Sequence, residues 1–431
     1  MCSVASERTR RPFKDTPVSV ALFSSPCDSP APTTSCGLEE MRMADQEAMI
    51  SSDSHIVEPP DLWERWLTPE FRPRAPKLVQ DEEGGDAWLY NDGGAPAPLG
   101  LVTVTRGRPR EELRWSGARY STINQGNFRG EARVEEMRED GVVAEVIYSP
   151  QRTMRHFMLG TEDDFQLAGI RAYNDWLAKD FCAKAPERLI GIGQMPSVGV
   201  DTAIAEMRRC KEMGLRGVLL SAWPSGNLNL SAADDGFFAE AERLGVPISI
   251  HCGLSARGKV AAKPKTPTEE KAARGEATGG KQVSALSGAG LDTMPLIMGE
   301  IILTGVHDRF PKLKFVSVEA GVGWVPYYTE QMDDRYDRNK YWAKIKLEKE
   351  PSEYVRSNWW FTFIIDHYGV ANRHAIGIDN IMWSTDYPHH GCDWPQSRKV
   401  VSEMMKDVPA AERRKIVFEN AARLYGIRVG E

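Results

Sequence analysis

Apolar residues follow two alternating patterns along most of this chain. From residue 49 onward, short runs rich in Val, Ile, Leu and Phe alternate with longer segments whose apolar residues lie three and four positions apart. The first pattern predicts buried β-strands and the second predicts amphipathic helices. Eight strands are predicted, at residues 50–57, 142–148, 189–195, 217–221, 247–251, 314–319, 359–365 and 381–385. This alternation is typical of parallel α/β folds, and eight strands are the number that closes a (β/α)8 TIM barrel.

Glycines support the predicted boundaries between helices and strands. Segments 163–184, 201–213 and 234–244 have the spacing of amphipathic helices, and Gly214 and Gly245 follow the last two directly. Glycine adopts the left-handed conformation that commonly ends a helix. Because a predicted strand begins within a few residues of each glycine, the βα repeat extends through this part of the chain.

Three stretches depart from the βα repeat. Residues 68–130 mix Pro, Gly, Trp and Arg and contain the run LVTVTRGRP, which predicts an irregular excursion with a small hairpin. Residues 254–290 follow the fifth strand, on the catalytic side of a βα barrel, and are either a lid or a surface loop without a role. Residues 1–48 lack apolar periodicity and predict a disordered tail, or alternatively a transit peptide, ahead of a barrel domain at 49–431.

Composition narrows the classes of partner. The net charge of −7 arises from 61 acidic and 54 basic residues without a basic block, so no nucleic-acid partner is expected. No run of 18 apolar residues and no signal-peptide pattern occur, so we expect a cytoplasmic protein without a membrane partner. The seven cysteines include no C-x-x-C pair, which favours reduced thiols over disulfides or a zinc knuckle.

Polar residues that suit a metal lie at the ends of four predicted strands. Asp53 and His55 are two positions apart on the first strand, so their side chains point to the same face. His251 ends the fifth strand, Glu319 ends the sixth and Asp386 follows the eighth. Each of these residues alone is more simply explained as a structural hydrogen-bonding group. Together, however, they lie at strand ends that meet at one face of a barrel. Such a set of carboxylates and imidazoles suits Zn, Mn, Fe or Co.

Four further residues are candidates near this predicted site. His389 and His390 follow the eighth strand closely. Trp63 follows the first-strand pair and is expected to form a wall of a substrate pocket. Arg335 is expected to bind a substrate carboxylate or to pair with a neighbouring aspartate.

Five segments of the chain resemble, in order, a known enzyme family. They are SSDSHIVEPPDLWERW, SIHCG, RFPKLKFVSVEAGVGWVPYYTEQMD, IMWSTDYPHH and ENAARLYG. The chain is similar over roughly residues 49–428 to the amidohydrolase-related family that includes aminocarboxymuconate semialdehyde decarboxylase and the resorcylate-type decarboxylases. The resemblance implies a barrel of the metal-dependent hydrolase type and one divalent ion, Zn, Mn or Fe, held by Asp53, His55, His251 and Asp386.

The resemblance also implies the class of reaction. It predicts a hydrolase or decarboxylase that acts on a small organic acid, amide, ester or aromatic substrate, and a homodimer is consistent with it. Most relatives of known activity begin with H-x-H or E-x-H and end the sixth strand in histidine, whereas this chain has Asp53 and Glu319 there. Glu319 and His389 are therefore the expected proton carriers.

Two alternatives remain open from the sequence. Glu319, His389 and His390 together could hold a second ion, which would give a non-haem diiron monooxygenase on the same fold. A non-catalytic binding protein that keeps the barrel is the other alternative.

Overall fold

The computed structural model describes residues 47–90, 94–160, 162–254 and 293–428. Almost all of the predicted tail at 1–48 and of the predicted lid at 254–290 therefore lies outside the described residues. Residues 48–431 form one unit, which is the unit considered below.

Eight parallel strands form the barrel, and three short antiparallel strands form a separate small sheet. The spatial order in the barrel is β1, β5, β6, β7, β8, β9, β10 and β11, and each strand is parallel to its hydrogen-bonded neighbours. The (β/α)8 prediction is confirmed, and each predicted strand is present to within two residues at either end. The strands are β1 Met49–His55, β2 Lys77–Gln80, β3 Asp86–Leu89, β4 Ala97–Pro98, β5 Val142–Tyr148, β6 Leu189–Gln194, β7 Gly217–Leu220, β8 Ile248–His251, β9 Phe315–Val318, β10 Trp359–Phe363 and β11 Ile381–Trp383.

The first strand and the segment after the last strand meet through hydrogen bonds. The backbone N–H of Asp386 donates to the carbonyl of Asp53 over 2.9 Å, and that of His55 donates to the carbonyl of Tyr387 over 2.6 Å. The Ser51 hydroxyl accepts a third bond, from the N–H of Thr385 over 2.9 Å. These bonds bring the predicted ligands of the first and eighth strands side by side.

Helices follow the barrel strands and pack against them. Gly245 ends α6 in the left-handed conformation that the sequence predicts, with φ 66°. The predicted helix at 163–184 continues past α4 through a π turn at Leu177–Phe181 and a 3-10 turn at Cys182–Lys184. No helix in the described ranges is long and apolar enough to cross a membrane. The helices are α1 Leu62–Trp66, α2 Gly130–Asp140, α3 Gln151–Met158, α4 Asp163–Trp176, α5 Val200–Glu212, α6 Asp235–Leu244, α7 Met294–Leu303, α8 Val306–Arg309, α9 Val325–Ala343, α10 Pro351–Asn358, α11 His367–Ala371, α12 Arg373–Ile376, α13 Ser397–Met404, α14 Ala410–Arg414 and α15 Asn420–Tyr425.

The excursion after β1 contains the predicted small hairpin, as part of a three-stranded sheet. Strands β2, β3 and β4 pair antiparallel, whereas the run LVTVTRGRP at 101–109 forms turns. Side-chain amides bind the backbone of this run: Asn127 accepts from the N–H of Val104 and Asn124 accepts from that of Arg106. Because these amides replace a partner strand, the β-rich composition of the run does not produce a hairpin.

Candidate metal centre and substrate cavity

The predicted ligands converge where the barrel strands end. Asp53 and His55 belong to β1, His251 is the last residue of β8, and Glu319 and Asp386 lie just beyond β9 and β11. The side chains of Asp53 and His55 are fully buried, and those of His251 and Asp386 are nearly so. Glu319 is the most exposed member, at 26%.

Backbone strain is concentrated at these strand ends. Among the described residues other than glycine, positive φ occurs at Cys252 (55°), Glu319 (55°), Asp386 (58°) and Lys344 (54°). A left-handed backbone is unfavourable for residues with a Cβ, and such residues cluster at functional sites. Three of these four residues directly follow β8 and β9 or lie in the segment after β11, where they turn the chain beside the candidate ligands.

The candidate ligand atoms are close together. The two Nε2 atoms of His55 and His251 are 2.9 Å apart. Asp53 Oδ1 lies 3.5 Å from the first of these nitrogens and 3.6 Å from the second. Asp386 Oδ1 lies 3.5 Å from His55 Nε2, and Glu319 Oε2 lies 3.4 Å from His251 Nε2. Ligand atoms of Asp53, His55, His251 and Glu319 form one cluster, and those of His55, Asp386 and His389 form a second cluster that shares His55.

This donor set fits a divalent cation. Both carboxylate oxygens of Asp53 are buried without a hydrogen-bond partner, which is costly for a carboxylate unless a cation lies beside it. Nitrogen ligands about 2.1 Å from a metal lie roughly 3.0 to 3.4 Å apart, close to the separation of the two Nε2 atoms. Two aspartates and two neutral imidazoles also balance a charge of +2.

Burial and neighbouring groups together set the pKa values at the site. Although burial opposes it, Cys252 and Asp53 raise the pKa of His251 well above its usual value. Burial raises the pKa of Asp53 despite the opposing attraction of His251, and raises that of Asp386 despite the attraction of His389. Burial also lowers the pKa of His55 well below its usual value, and repulsion from His389 and His251 adds to this. A neutral imidazole is the form that binds a metal.

His389 joins the cluster, whereas His390 does not. His389 Nδ1 lies 2.9 Å from Asp386 Oδ1, and its ring stacks on that of His55 at 4.2 Å between centroids. His390 is exposed, and its backbone N–H donates to the carbonyl of Leu101. The exposed ring of His390 lines a different cavity, beside Arg110 and Asp393, so the structure brings Glu319 and His389 of the predicted second-metal set to the cluster but not His390.

A cavity of about 380 Å³ adjoins the cluster. His251, Cys252, Glu319 and His389 line the part of it that contains the candidate ligands and proton carriers. Other lining residues come from the loop after β1, from the small sheet with its flanking loops, and from α3. They include Glu58, Trp88, Tyr90, Pro98, Arg152, Arg155 and Met158. The sequence did not predict that these segments meet. The signal for Glu58 was its position three residues after His55, in a loop that follows a barrel strand.

The two substrate-binding residues predicted from sequence lie elsewhere. Trp63 is buried in the core, where its ring packs on that of Phe157 at 4.9 Å between centroids. The short helix α1 turns this side chain inward, so it does not line the cavity. Arg335 lies ten residues into α9, about 15 Å along the helix axis from its start. It lines a groove on the outer side of the barrel, with Leu296 and Tyr328.

The chain matches a family model and several curated proteins. The model described as amidohydrolase matches residues 124–427. The chain is 23% identical to 2-amino-3-carboxymuconate-6-semialdehyde decarboxylase of Dictyostelium discoideum over 320 residues, which cover 72% of this chain and 80% of that protein. It is 26% identical to gamma-resorcylate decarboxylase of Polaromonas sp. over 269 residues, which cover 59% and 75%.

Solved structures share the fold at low sequence identity. An amidohydrolase of Mycobacterium avium subsp. paratuberculosis superposes with a TM-score of 0.65 at 21% identity, covering 89% of this chain and all of that one. A dihydroxybenzoic acid decarboxylase of Polaromonas sp. with bound manganese and the inhibitor 2-nitroresorcinol gives 0.58 at 18% identity, covering 88% and 97%. The family match spans more than half of the chain, and the resemblance noted in the sequence is confirmed: this chain belongs to the amidohydrolase family.

Proposed function

We propose that the protein is a metal-dependent decarboxylase that removes the carboxylate group of an aromatic acid. The convergence of Asp53, His55, His251 and Asp386 beside a cavity lined by Arg152 carries this proposal. Guanidinium groups and metal ions both bind carboxylates and phenolic oxygens. The curated relatives named above are decarboxylases, which favours this reaction over hydrolysis and over the diiron alternative.

The four converging residues are proposed as the ligands of one divalent ion. Manganese is the first candidate, because a solved relative is described with bound manganese, and zinc and iron are the alternatives. When bound, the ion supplies a positive charge that holds the substrate and stabilises negative charge as carbon dioxide leaves. Cys252 contacts Glu319, its Sγ lying 3.1 Å from Oε2, and so restrains the carboxylate beside the ligands.

Glu319 and His389 are proposed to carry the proton. In the reaction the bond between the ring carbon and the carboxylate breaks, carbon dioxide leaves, and the electron pair stays on the ring carbon, which then takes a proton. Both side chains line the cavity and lie within reach of the ligands. Arg152 and the aromatic rings of Trp88 and Tyr90 would hold the substrate ring in place.

A substrate panel tests this proposal. Manganese-loaded protein is incubated with hydroxybenzoates, aminobenzoates and carboxyvanillates labelled with ¹³C at the carboxyl group, and labelled carbon dioxide is measured. We expect release from at least one acid, with a loss of about a hundredfold or more in Glu319→Gln or His389→Gln, since general acid catalysis contributes roughly 10²–10⁴. Products that contain an added water, without carbon dioxide, would instead indicate a hydrolase.

We also propose a homodimer. Large exposed side chains gather on and beside α9, where Tyr327, Tyr341 and Trp342 are each 70% or more exposed and Leu296 of α7 is 69% exposed. The same helices border an apolar groove with Met332. A surface that carries both protruding aromatic side chains and a groove is suited to pair with a second copy of itself.

A further inference from the structure

Glu58 is a buried acid in the substrate cavity that the proposed chemistry does not use. It follows β1 in the segment HIVEPP, is 3% exposed and lines the cavity together with Tyr90 and Arg152. Its Oε1 is buried without a hydrogen-bond partner. A buried carboxyl group that keeps an oxygen unpaired lowers stability, so its presence in a binding cavity points to a ligand that completes its hydrogen bonding.

The backbone at Glu58 is held in place by the small sheet. The Trp88 indole of β3 donates to the hydroxyl oxygen of Tyr120 over 3.1 Å, and the Tyr120 hydroxyl donates to the carbonyl of Glu58 over 2.5 Å. On the other side, α3 supplies Thr153, whose hydroxyl is 3.0 Å from that of Tyr90. Hydrogen bonds thus hold the backbone that carries the carboxyl group, and they also hold the neighbouring Tyr90, as a selective contact requires.

The wall around Glu58 is polar and includes the guanidinium of Arg152. The Arg152 guanidinium donates to the carbonyl of Pro98 over 2.8 Å. Burial raises the pKa of Glu58 to about 7, although Thr153 and Arg152 both oppose this. An acceptor oxygen and a guanidinium therefore face the same cavity as the candidate metal ligands, and a ligand with polar groups on two sides of one ring would satisfy both walls.

We infer that Glu58 determines substrate specificity by accepting a hydrogen bond from a second ring substituent, a hydroxyl or amino group, of the aromatic acid. The inference rests on the proposed function for the identity of the carboxylate-bearing ring. It assigns to Glu58 a role in binding and none in proton transfer. An aromatic acid without such a donor leaves the Glu58 oxygen unpaired and binds more weakly.

Binding of analogues that cannot react tests the role of Glu58. The ligands are nitrobenzene, the three nitrophenols and the three nitroanilines. Each carries a nitro group in place of the carboxylate, so no carbon dioxide can leave. Calorimetry gives their dissociation constants with manganese-loaded protein. We expect at least one nitrophenol or nitroaniline to bind about tenfold more tightly than nitrobenzene, as one buried hydrogen bond allows.

Variants of Glu58 then test whether this residue causes the preference. In Glu58→Met the preference falls to about twofold or less, while the dissociation constant of nitrobenzene stays within about twofold. Glu58→Gln keeps a neutral acceptor and retains an intermediate preference. Glu64→Met makes the same change at an exposed residue of α1 and leaves the preference intact. If Glu58→Met fails to fold, Glu58→Gln serves alone, with a drop of about threefold expected.

Two results would overturn the assignment of Glu58. One is a wild-type protein that binds nitrobenzene as tightly as every hydroxyl and amino derivative. The other is an unchanged preference in the Glu58 variants. Because no turnover is measured, a protein that keeps the preference but releases no carbon dioxide from any acid would contradict the proposed reaction and leave the role of Glu58 standing.

Discussion

Single residues around the candidate centre keep buried polar atoms without hydrogen-bond partners. Both carboxylate oxygens of Asp53 and Oε1 of Glu58 are such atoms. A fold selected for stability alone would pair these atoms or replace them with apolar groups. Because a buried carboxyl oxygen without a partner is especially costly, these atoms favour a cation beside Asp53 and a ligand beside Glu58.

Residues at strand ends were predictable from the sequence, and residues of the cavity wall were not. Asp53 and His55 share a face because strand side chains alternate, and His251 ends an apolar run. Arg152 reaches the cavity only because α3 packs beside the small sheet, an arrangement that no local pattern specifies. Trp63 was predicted wrongly for a similar reason, since the orientation of a five-residue helix depends on its tertiary contacts.

Glu58 makes stability depend on pH. Its pKa is about 7 when folded and near its ordinary value of 4.5 when unfolded, so its contribution to stability is present below about pH 4.5 and is lost as pH rises through 7. Arg152 stays charged over this range, and burial raises the pKa values of Tyr90, Tyr120 and Tyr173, which stay neutral.

Urea unfolding of wild type and Glu58→Gln at pH 5 and pH 8 checks this expectation. Between these values we expect the free energy of unfolding of wild type to fall by about 2 to 3 kcal/mol more than that of the variant. Other titrating groups are common to both proteins and cancel in the difference. Parallel pH profiles would show that Glu58 is not an acid with a raised pKa.

Among the elements, the barrel strands were predicted more accurately than the segments that follow them. The eight strands follow from hydrophobic periodicity, and their predicted bounds agree with the structure because each run is buried on both faces. The small hairpin predicted within residues 68–130 is present as part of the small sheet, whereas the run LVTVTRGRP lies outside that sheet and its backbone is bound by Asn124 and Asn127. Side-chain amides from distant positions are not visible in local strand propensity.

Ser51 stabilises the junction between β1 and the segment after β11. Its hydroxyl accepts from the N–H of Thr385 and lies 2.9 Å from the hydroxyl of Ser54. We expect Ser51→Ala to lower the free energy of unfolding by roughly 1 to 3 kcal/mol, because a buried N–H loses its partner. Ser52→Ala is the matched control: the Ser52 hydroxyl is buried without a partner, so its removal should be neutral or stabilising.

Urea unfolding at one pH compares the two serine variants. Equal effects of Ser51→Ala and Ser52→Ala would mean that the bond to Thr385 contributes nothing to the junction. Metal content of Ser51→Ala, measured alongside, reports whether a loosened junction also weakens the adjacent site of Asp53 and Asp386.

The whole molecule presents an apolar surface on one flank, away from the cavity. Tyr341 and Trp342 are 83% and 75% exposed, which is costly for aromatic side chains in water. The sequence predicted nothing specific for Tyr341 and Trp342, because periodicity does not separate a helix face that meets the barrel from one that meets a partner. The proposed homodimer would bury this surface.

Light scattering tests the proposed dimer. We expect the purified protein to have twice the mass of one chain at micromolar concentration and Trp342→Glu to shift it toward the monomer, since a buried unpaired charge disfavours an interface. Leu228→Glu places the same charge at a 59% exposed apolar residue outside the proposed surface and should leave the dimer intact. A wild-type monomer at these concentrations would contradict the proposed dimer.

The metal content of the protein tests the central claim most directly. Elemental analysis of protein purified with manganese and then freed of unbound ions should give about one divalent ion per chain in wild type and almost none in His251→Ala, which loses a ligand between Asp53 and Glu319. Glu319→Gln should retain the ion, since Glu319 is proposed to carry a proton. No bound ion in wild type, or equal metal content in His251→Ala, would contradict a metal-dependent decarboxylase.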